Sequence, residues 1–94
     1  MSRSRQTVNV QIRGEFSVYD SSNAVVTGLV NTDFTRLLSY NGTNDTTTLT
    51  VTEVTSGRYT YTFTPASVGF WAVVIRHATY NPRGWEEDFD VTAT

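Results

Sequence analysis

Between Ser56-Gly57 and Pro65 the chain reads Arg58, Tyr59, Thr60, Tyr61, Thr62, Phe63, Thr64, aromatic at each odd position and polar at each even one. A strand sends successive side chains to opposite faces, so this run makes a strand with one dry face and one wet face. On a helix Tyr61 would lie opposite Tyr59 and Phe63, and no common apolar stripe would form. Pro65 has no N–H for a ladder and stops the strand, leaving Ala66 to Gly69 as a corner. Beyond it Phe70, Trp71, Ala72, Val73, Val74 and Ile75 are all apolar. Such a run fits a central strand covered on both faces, or a strand whose outer face meets a partner.

The rest of the chain repeats the theme at sandwich spacing. Val8, Val10 and Ile12 alternate with Asn9, Gln11 and Arg13, predicting a first strand that Gly14 ends, and Phe16 and Val18 continue the alternation. Asp20-Ser21-Ser22-Asn23 is turn chemistry, and Ala24 to Leu29 is expected to return as a strand with Gly28 a bulge. Phe34 to Tyr40 offers a further strand, and Asn41-Gly42 is the pair that type I′ hairpin turns favour. In Thr46 to Val54, Leu49 and Val51 are in phase while Val54 is one residue out, which predicts a bulge near Glu53. Tyr80-Asn81-Pro82-Arg83-Gly84 reads as a loop, and Phe89 and Val91 mark a last strand. Residues 1–6 carry no apolar side chain after Met1 and read as a flexible arm, with one domain over residues 7–94. Seven or eight short antiparallel strands define an all-β, immunoglobulin-like Greek-key sandwich.

Composition then narrows function. The apolar fraction is 38%, but 17 threonines and 12 aromatics suit pleated, half-wet surfaces. All seven cations are Arg, with no Lys, and the net charge is −2. That balance, with a pI near 5.1, argues against a dedicated nucleic-acid binder, whose affinity comes from cations on phosphates. No run approaches a membrane span or a signal-peptide core, so neither a membrane nor export is expected. The absence of cysteine removes disulfides, thiolate metal sites and a Cys nucleophile. A Ser-His-Asp scheme would depend on His77, the one histidine, which is expected in a hydrogen-bonded structural role. Adjacent acids Glu86, Glu87, Asp88 and Asp90 alternate faces on a strand and suit a solvated edge that blocks aggregation. No loop spacing supplies an oxygen cage for calcium. No catalytic residue, cofactor or metal is therefore expected.

What remains is surface. Trp71 shares the parity of the core, while Phe70 and Val74 point the other way and are candidates for a contact between subunits. Arg3 and Arg5 at one end oppose the acids at the other and are candidates for polar contacts. Trp85, between Gly84 and an acidic run, is the aromatic least explained by a core; with Tyr80 and Arg83 it would make a loop-borne anchor.

The stretch Gly57 to Pro65, followed by Gly69, Trp71, Val73 and Ile75, resembles the C-terminal half of filamin-type immunoglobulin repeats, over about residues 53 to 92. Gly84 and Phe89-x-Val91 stand where that family's closing strand would be, although Arg83-Gly84-Trp85 replaces its Gly-Ser-Pro-Phe motif. The wider pattern from Val26-x-Gly28-Leu29 onward is similar to small immunoglobulin-like domains of tailed-phage virion proteins. That likeness implies a cement or decoration protein made in the host cytoplasm, binding a capsid or tail protein in the virion as a homo-oligomer. Two other readings are a carbohydrate-binding module stacking sugars on Trp85 and Tyr80, and a scaffold repeat taking a peptide at a free sheet edge.

Overall fold

The structure, a computed structural model, describes residues 4–93. Among the described residues there are eight strands: β1 Ser4–Thr7, β2 Ile12–Ser17, β3 Thr35–Tyr40, β4 Thr43–Asn44, β5 Thr50–Thr55, β6 Arg58–Phe63, β7 Gly69–His77 and β8 Asn81–Thr92. A single 3-10 turn, Asn31–Asp33, precedes β3. The strands form a five-stranded sheet in the order β1-β8-β7-β3-β4 and a three-stranded sheet in the order β2-β6-β5. All pairs are antiparallel except β1, which adds to β8 in parallel over Phe89–Thr92. The expected immunoglobulin-like sandwich is what the chain adopts.

Parity explains the core. Tyr59, Tyr61 and Phe63 of β6 are buried and face Trp71, Val73 and Ile75 of β7, with Ile12, Phe16, Leu38, Val51, Phe89 and Val91 from the flanking strands. Phe63, the last residue of β6, sits 5.8 Å from Trp71 and 5.9 Å from Phe89, which ties the two sheets together at that end. Each large apolar side chain removed from water in this way contributes roughly 1.5–3 kcal/mol. The polar tips of the rings are satisfied: the Trp71 indole N–H donates to Ser67 O at 3.0 Å, and the Tyr59 hydroxyl donates to Val26 O at 2.8 Å.

Several expectations about the ends of elements are corrected. The first strand lies earlier than the Val8-Val10-Ile12 alternation implies. Asn9 takes a left-handed conformation (φ 64°), and its N–H and that of Val8 bond to Pro65 O and Thr92 O as the chain crosses between sheets, leaving Val10 55% exposed. Residues 4 to 6 of the expected arm are thereby part of β1. Gly14 lies inside β2, in register with Tyr61, and ends nothing. Ala24 to Leu29 forms one bridge, Tyr19 to Val25, and then runs irregularly. The Val26 N–H donates to Val18 O at 2.9 Å, and beyond it the N–H groups of Gly28 and Leu29 go to side chains, to Glu53 at 3.0 Å and to the Tyr59 hydroxyl at 3.3 Å, in place of a ladder partner.

Other details match. Asn41 and Gly42 have φ of 50° and 87°, the double positive that a type I′ turn requires. The register slips between Glu53 and Thr55, where a bulge was expected. Asp20 caps its own turn by accepting the N–H groups of Ser22 and Ala24. Asn81 to Gly84, in contrast, is the start of β8 and not loop: Asn81 Oδ1 accepts the Gly84 N–H at 2.9 Å, and the β7–β8 turn shrinks to Ala78, Thr79 and Tyr80.

Candidate functional site

The register gathers three of the candidate residues on one surface. On the outer face of the five-stranded sheet Phe70 lies beside Asp90, which lies beside Arg5. Ala72 sits between Ser39 and Asp88, and Val74 between Leu37 and Glu86. The even positions of β7, Phe70, Ala72 and Val74, thus give with Leu37 of β3 a half-buried apolar strip, bordered by the acids of β8 and by Arg5. Asn41 Oδ1 accepts the Phe70 N–H at 2.9 Å and fixes the end of that strip to the β3–β4 turn. Arg3, the other candidate for polar contacts, lies outside the described residues.

Tyr80, Arg83 and Trp85 are not brought together. Tyr80 projects from the β7–β8 turn and stacks on His77 with ring centroids 4.7 Å apart. His77 Nδ1 accepts the N–H groups of Thr79 and Tyr80 at 3.1 and 3.3 Å, the structural role expected of it. Arg83 is exposed on β8. Trp85 is in register with Ile75 and turns into the sandwich, 4.5 Å from the Phe16 ring and 6.2 Å from Phe34. A core contact that the sequence reading denied to Trp85 is what holds it, because Trp85 shares parity with Phe89 and Val91.

That placement opens a cleft which the sequence reading missed. β8 is the longer partner of a short β1, and β2 is the edge of the other sheet; between them lies a cavity of about 190 Å³ lined by Glu15, Phe16, Tyr61, Val73, Trp85, Glu86 and Glu87. Its floor is apolar and its rim is acidic. Glu87 shares the inward parity of Trp85, and its Oε1 accepts the Tyr61 hydroxyl at 2.6 Å. Tyr61 reaches it by lying flat over Gly14, where a Cβ would stand 2.1 Å from the ring. Burial raises the Tyr61 pKa above the ordinary tyrosine value, and the bond to Glu87 and the Glu87 charge push it the same way. Glu15 is shared with Arg13 at 3.6 Å and Arg58 at 3.8 Å, both exposed. The period-two pattern did carry the signal: Glu87 falls in phase with Trp85, Phe89 and Val91, while it stays exposed, as expected of the acidic run.

Among the described residues no group of three or more His, Cys, Asp or Glu side chains is arranged to hold a metal. Nor, among those residues, is any helix long and apolar enough to cross a membrane, which says nothing of β-barrels. What these surfaces offer chemically is an apolar strip and an acid-rimmed aromatic cleft.

No protein-family model matches the chain, and no curated protein matches it in sequence. Among solved structures, the crystal structure of the Lin-41 filamin domain superposes with a TM-score of 0.74 at 15% identity, covering 100% of this chain and 88% of that one. The chain is therefore a filamin-type, immunoglobulin-like sandwich in fold.

Proposed function

We propose that this chain is a non-enzymatic interaction module, and that it acts as a cement or decoration protein on the surface of a tailed-phage virion. The observation that carries the reading is the apolar strip of Phe70, Ala72, Val74 and Leu37 on the outer face of the five-stranded sheet, with Arg5 and the β8 acids beside it. A small sandwich gains nothing for its own core from apolar side chains on that face. A second copy lying against Phe70 and Val74 would cover them, and Arg5 would supply planar, bidentate contacts at the margin. Arg83, exposed on β8, remains available to the virion surface.

The mechanism is mass action. A module that binds only the assembled state stabilises it by RT ln(1 + [L]/Kd), about 2.7 kcal/mol per site at a hundredfold excess over Kd. Repeated over a lattice, modest contacts become a large reinforcement. Native mass determination at micromolar concentration should show a homo-oligomer, and Val74→Arg should reduce it to monomer. Virions stripped of the chain should regain heat resistance when it is added back. A strictly monomeric chain that fails to sediment with heads or tails defeats this reading.

A further inference from the structure

The tip of the β3–β4 hairpin is the pair Asn41-Gly42, and both residues are exposed. Of the asparagines in the chain it alone is followed by glycine; the others precede Val10, Ala24, Thr32, Asp45 and Pro82. The amide carbon of an asparagine can be attacked by the backbone nitrogen of the next residue, because closing that ring makes a five-membered imide. A side chain on the next residue crowds its nitrogen, and proline has no N–H to lose. Gly42 brings no such crowding, and nothing lies within 4 Å of where its Cβ would stand.

The fold also prepares the carbon that is attacked. Asn41 is fastened to the start of β7 at two points: its N–H donates to Phe70 O at 2.7 Å, and its Oδ1 accepts the Phe70 N–H at 2.9 Å. A donor on Oδ1 draws charge from Cγ and stabilises the oxyanion that forms when nitrogen adds there. Asn31 and Asn81 accept the N–H groups of Val51 and Gly84 in the same way, but Thr32 and Pro82 follow them. Asn41 is where a polarised amide and an uncrowded nitrogen meet.

We propose that Asn41 is a site of spontaneous covalent modification in the folded protein, converting to isoaspartate and aspartate. The Gly42 nitrogen gives up its proton to hydroxide and bonds to Asn41 Cγ, the Cγ–Nδ2 bond breaks, and ammonia leaves with a proton from water. A second water then opens the imide. Opening at Cγ leaves aspartate; opening at the main-chain carbonyl leaves isoaspartate, whose main chain runs through Cβ and Cγ. The net change is one water taken up and one ammonia released.

Isoaspartate lengthens by one carbon a turn whose two residues set the hairpin register. β4 pairs with β3 at Ser39–Asn44 and Tyr40–Thr43, directly beside that turn, so the longer turn unpairs β4 and uncovers the Ser39–Tyr40 edge of β3. It also moves the Asn41 acceptor away from the Phe70 N–H.

The test ages the full, folded chain at mildly alkaline pH without denaturant and maps its peptides by mass. Asn41 should convert before any other asparagine, with isoaspartate and aspartate both present and a rate that rises in proportion to hydroxide. An isoaspartyl methyltransferase should label the peptide that contains it. Exchange of the Phe70 amide should quicken in the isoaspartyl fraction while the amides of β6 stay protected. Gly42→Ala should slow Asn41 to the rate of the other asparagines. Because alanine is strained at φ 87° and can disturb the turn, Asn41→Gln is the second variant. It keeps an amide but would need a six-membered ring, and the early release of ammonia should vanish. Conversion that begins only in urea that unfolds the chain would overturn the proposal, since the reaction would then belong to the unfolded state. So would aspartate without isoaspartate, the product of direct hydrolysis, or another asparagine converting first. None of these readouts depends on oligomer state, so this proposal and the outer-face reading fail separately.

Discussion

Tyr61 and Gly14 act as one unit: the ring occupies the space above the glycine, and its hydroxyl donates to Glu87 on the other sheet. Gly14→Ala puts a methyl group where the ring now lies, and either the ring leaves Glu87 or β2 moves. A loss of about 1–3 kcal/mol is expected from urea unfolding, as for other forced overpacking. Tyr61 also gives the fold a pH dependence. Its pKa is raised in the folded state from 10.0, mainly by burial, and that of Tyr59 is raised as well, again mainly by burial. Above about pH 10 the unfolded chain releases these protons while the native chain keeps them, so the native state binds more protons and stability falls as pH rises. Tyr61→Phe should cost about 1 kcal/mol at neutral pH through the lost hydrogen bond and flatten the alkaline decline. Unfolding midpoints measured from pH 8 to 11 decide this; an unchanged slope would mean that Tyr61 ionises freely in the folded protein.

Among the elements, Glu53 is the least obvious support. It sits at the β5 bulge, and its two carboxylate oxygens accept the Gly28 N–H at 3.0 Å and the Gly57 N–H at 3.2 Å. The irregular segment after Val25 and the β5–β6 turn are thereby held by one side chain. Glu53→Ala should lower stability by about 1–2 kcal/mol, and hydrogen exchange at Gly28 and Leu29 should accelerate far more than in β6 or β7. Uniform acceleration would show that Glu53 supports the whole sandwich and not that segment. This element also marks where sequence reading stops. The bulge was legible because Val54 breaks phase with Leu49 and Val51, and β6 and β7 were legible because a buried strand writes its parity into every residue. The segment 26–30 was not, because at its centre the Gly28 and Leu29 N–H groups are satisfied by distant side chains, Glu53 and the Tyr59 hydroxyl, which no local pattern announces. Phe70 and Val74 could be placed on a common face from alternation alone. The cleft could not, since it exists only once β8 and β2 are known to be opposed, and Asn81 to Gly84 had the composition of a loop while extending a strand.

For the molecule as a whole, β1 and β8 join the two ends of the described chain. Ser4 to Thr7 pair with Phe89 to Thr92, and the Val8 N–H donates to Thr92 O at 2.8 Å. Contacts between residues so far apart in sequence form late, after loop closure has been offset by the β6–β7 core. A chain beginning at Val8 should therefore keep the sandwich, because the buried aromatic core lies wholly in β2 to β8, but should lose about 1–3 kcal/mol with the missing ladder bonds. It should also expose the Phe89 to Thr92 part of β8 as an open edge. Self-association by native mass, absent or weaker in the full chain at the same concentration, is the expected result. It should be suppressed when Thr92, whose backbone faces that edge, is replaced by proline, which removes a donor from it. If the shortened chain is as stable as the full one and does not self-associate, β1 is dispensable to both stability and edge protection, and the β8 edge needs no cover at all. In that case the acids of β8 alone keep identical chains apart.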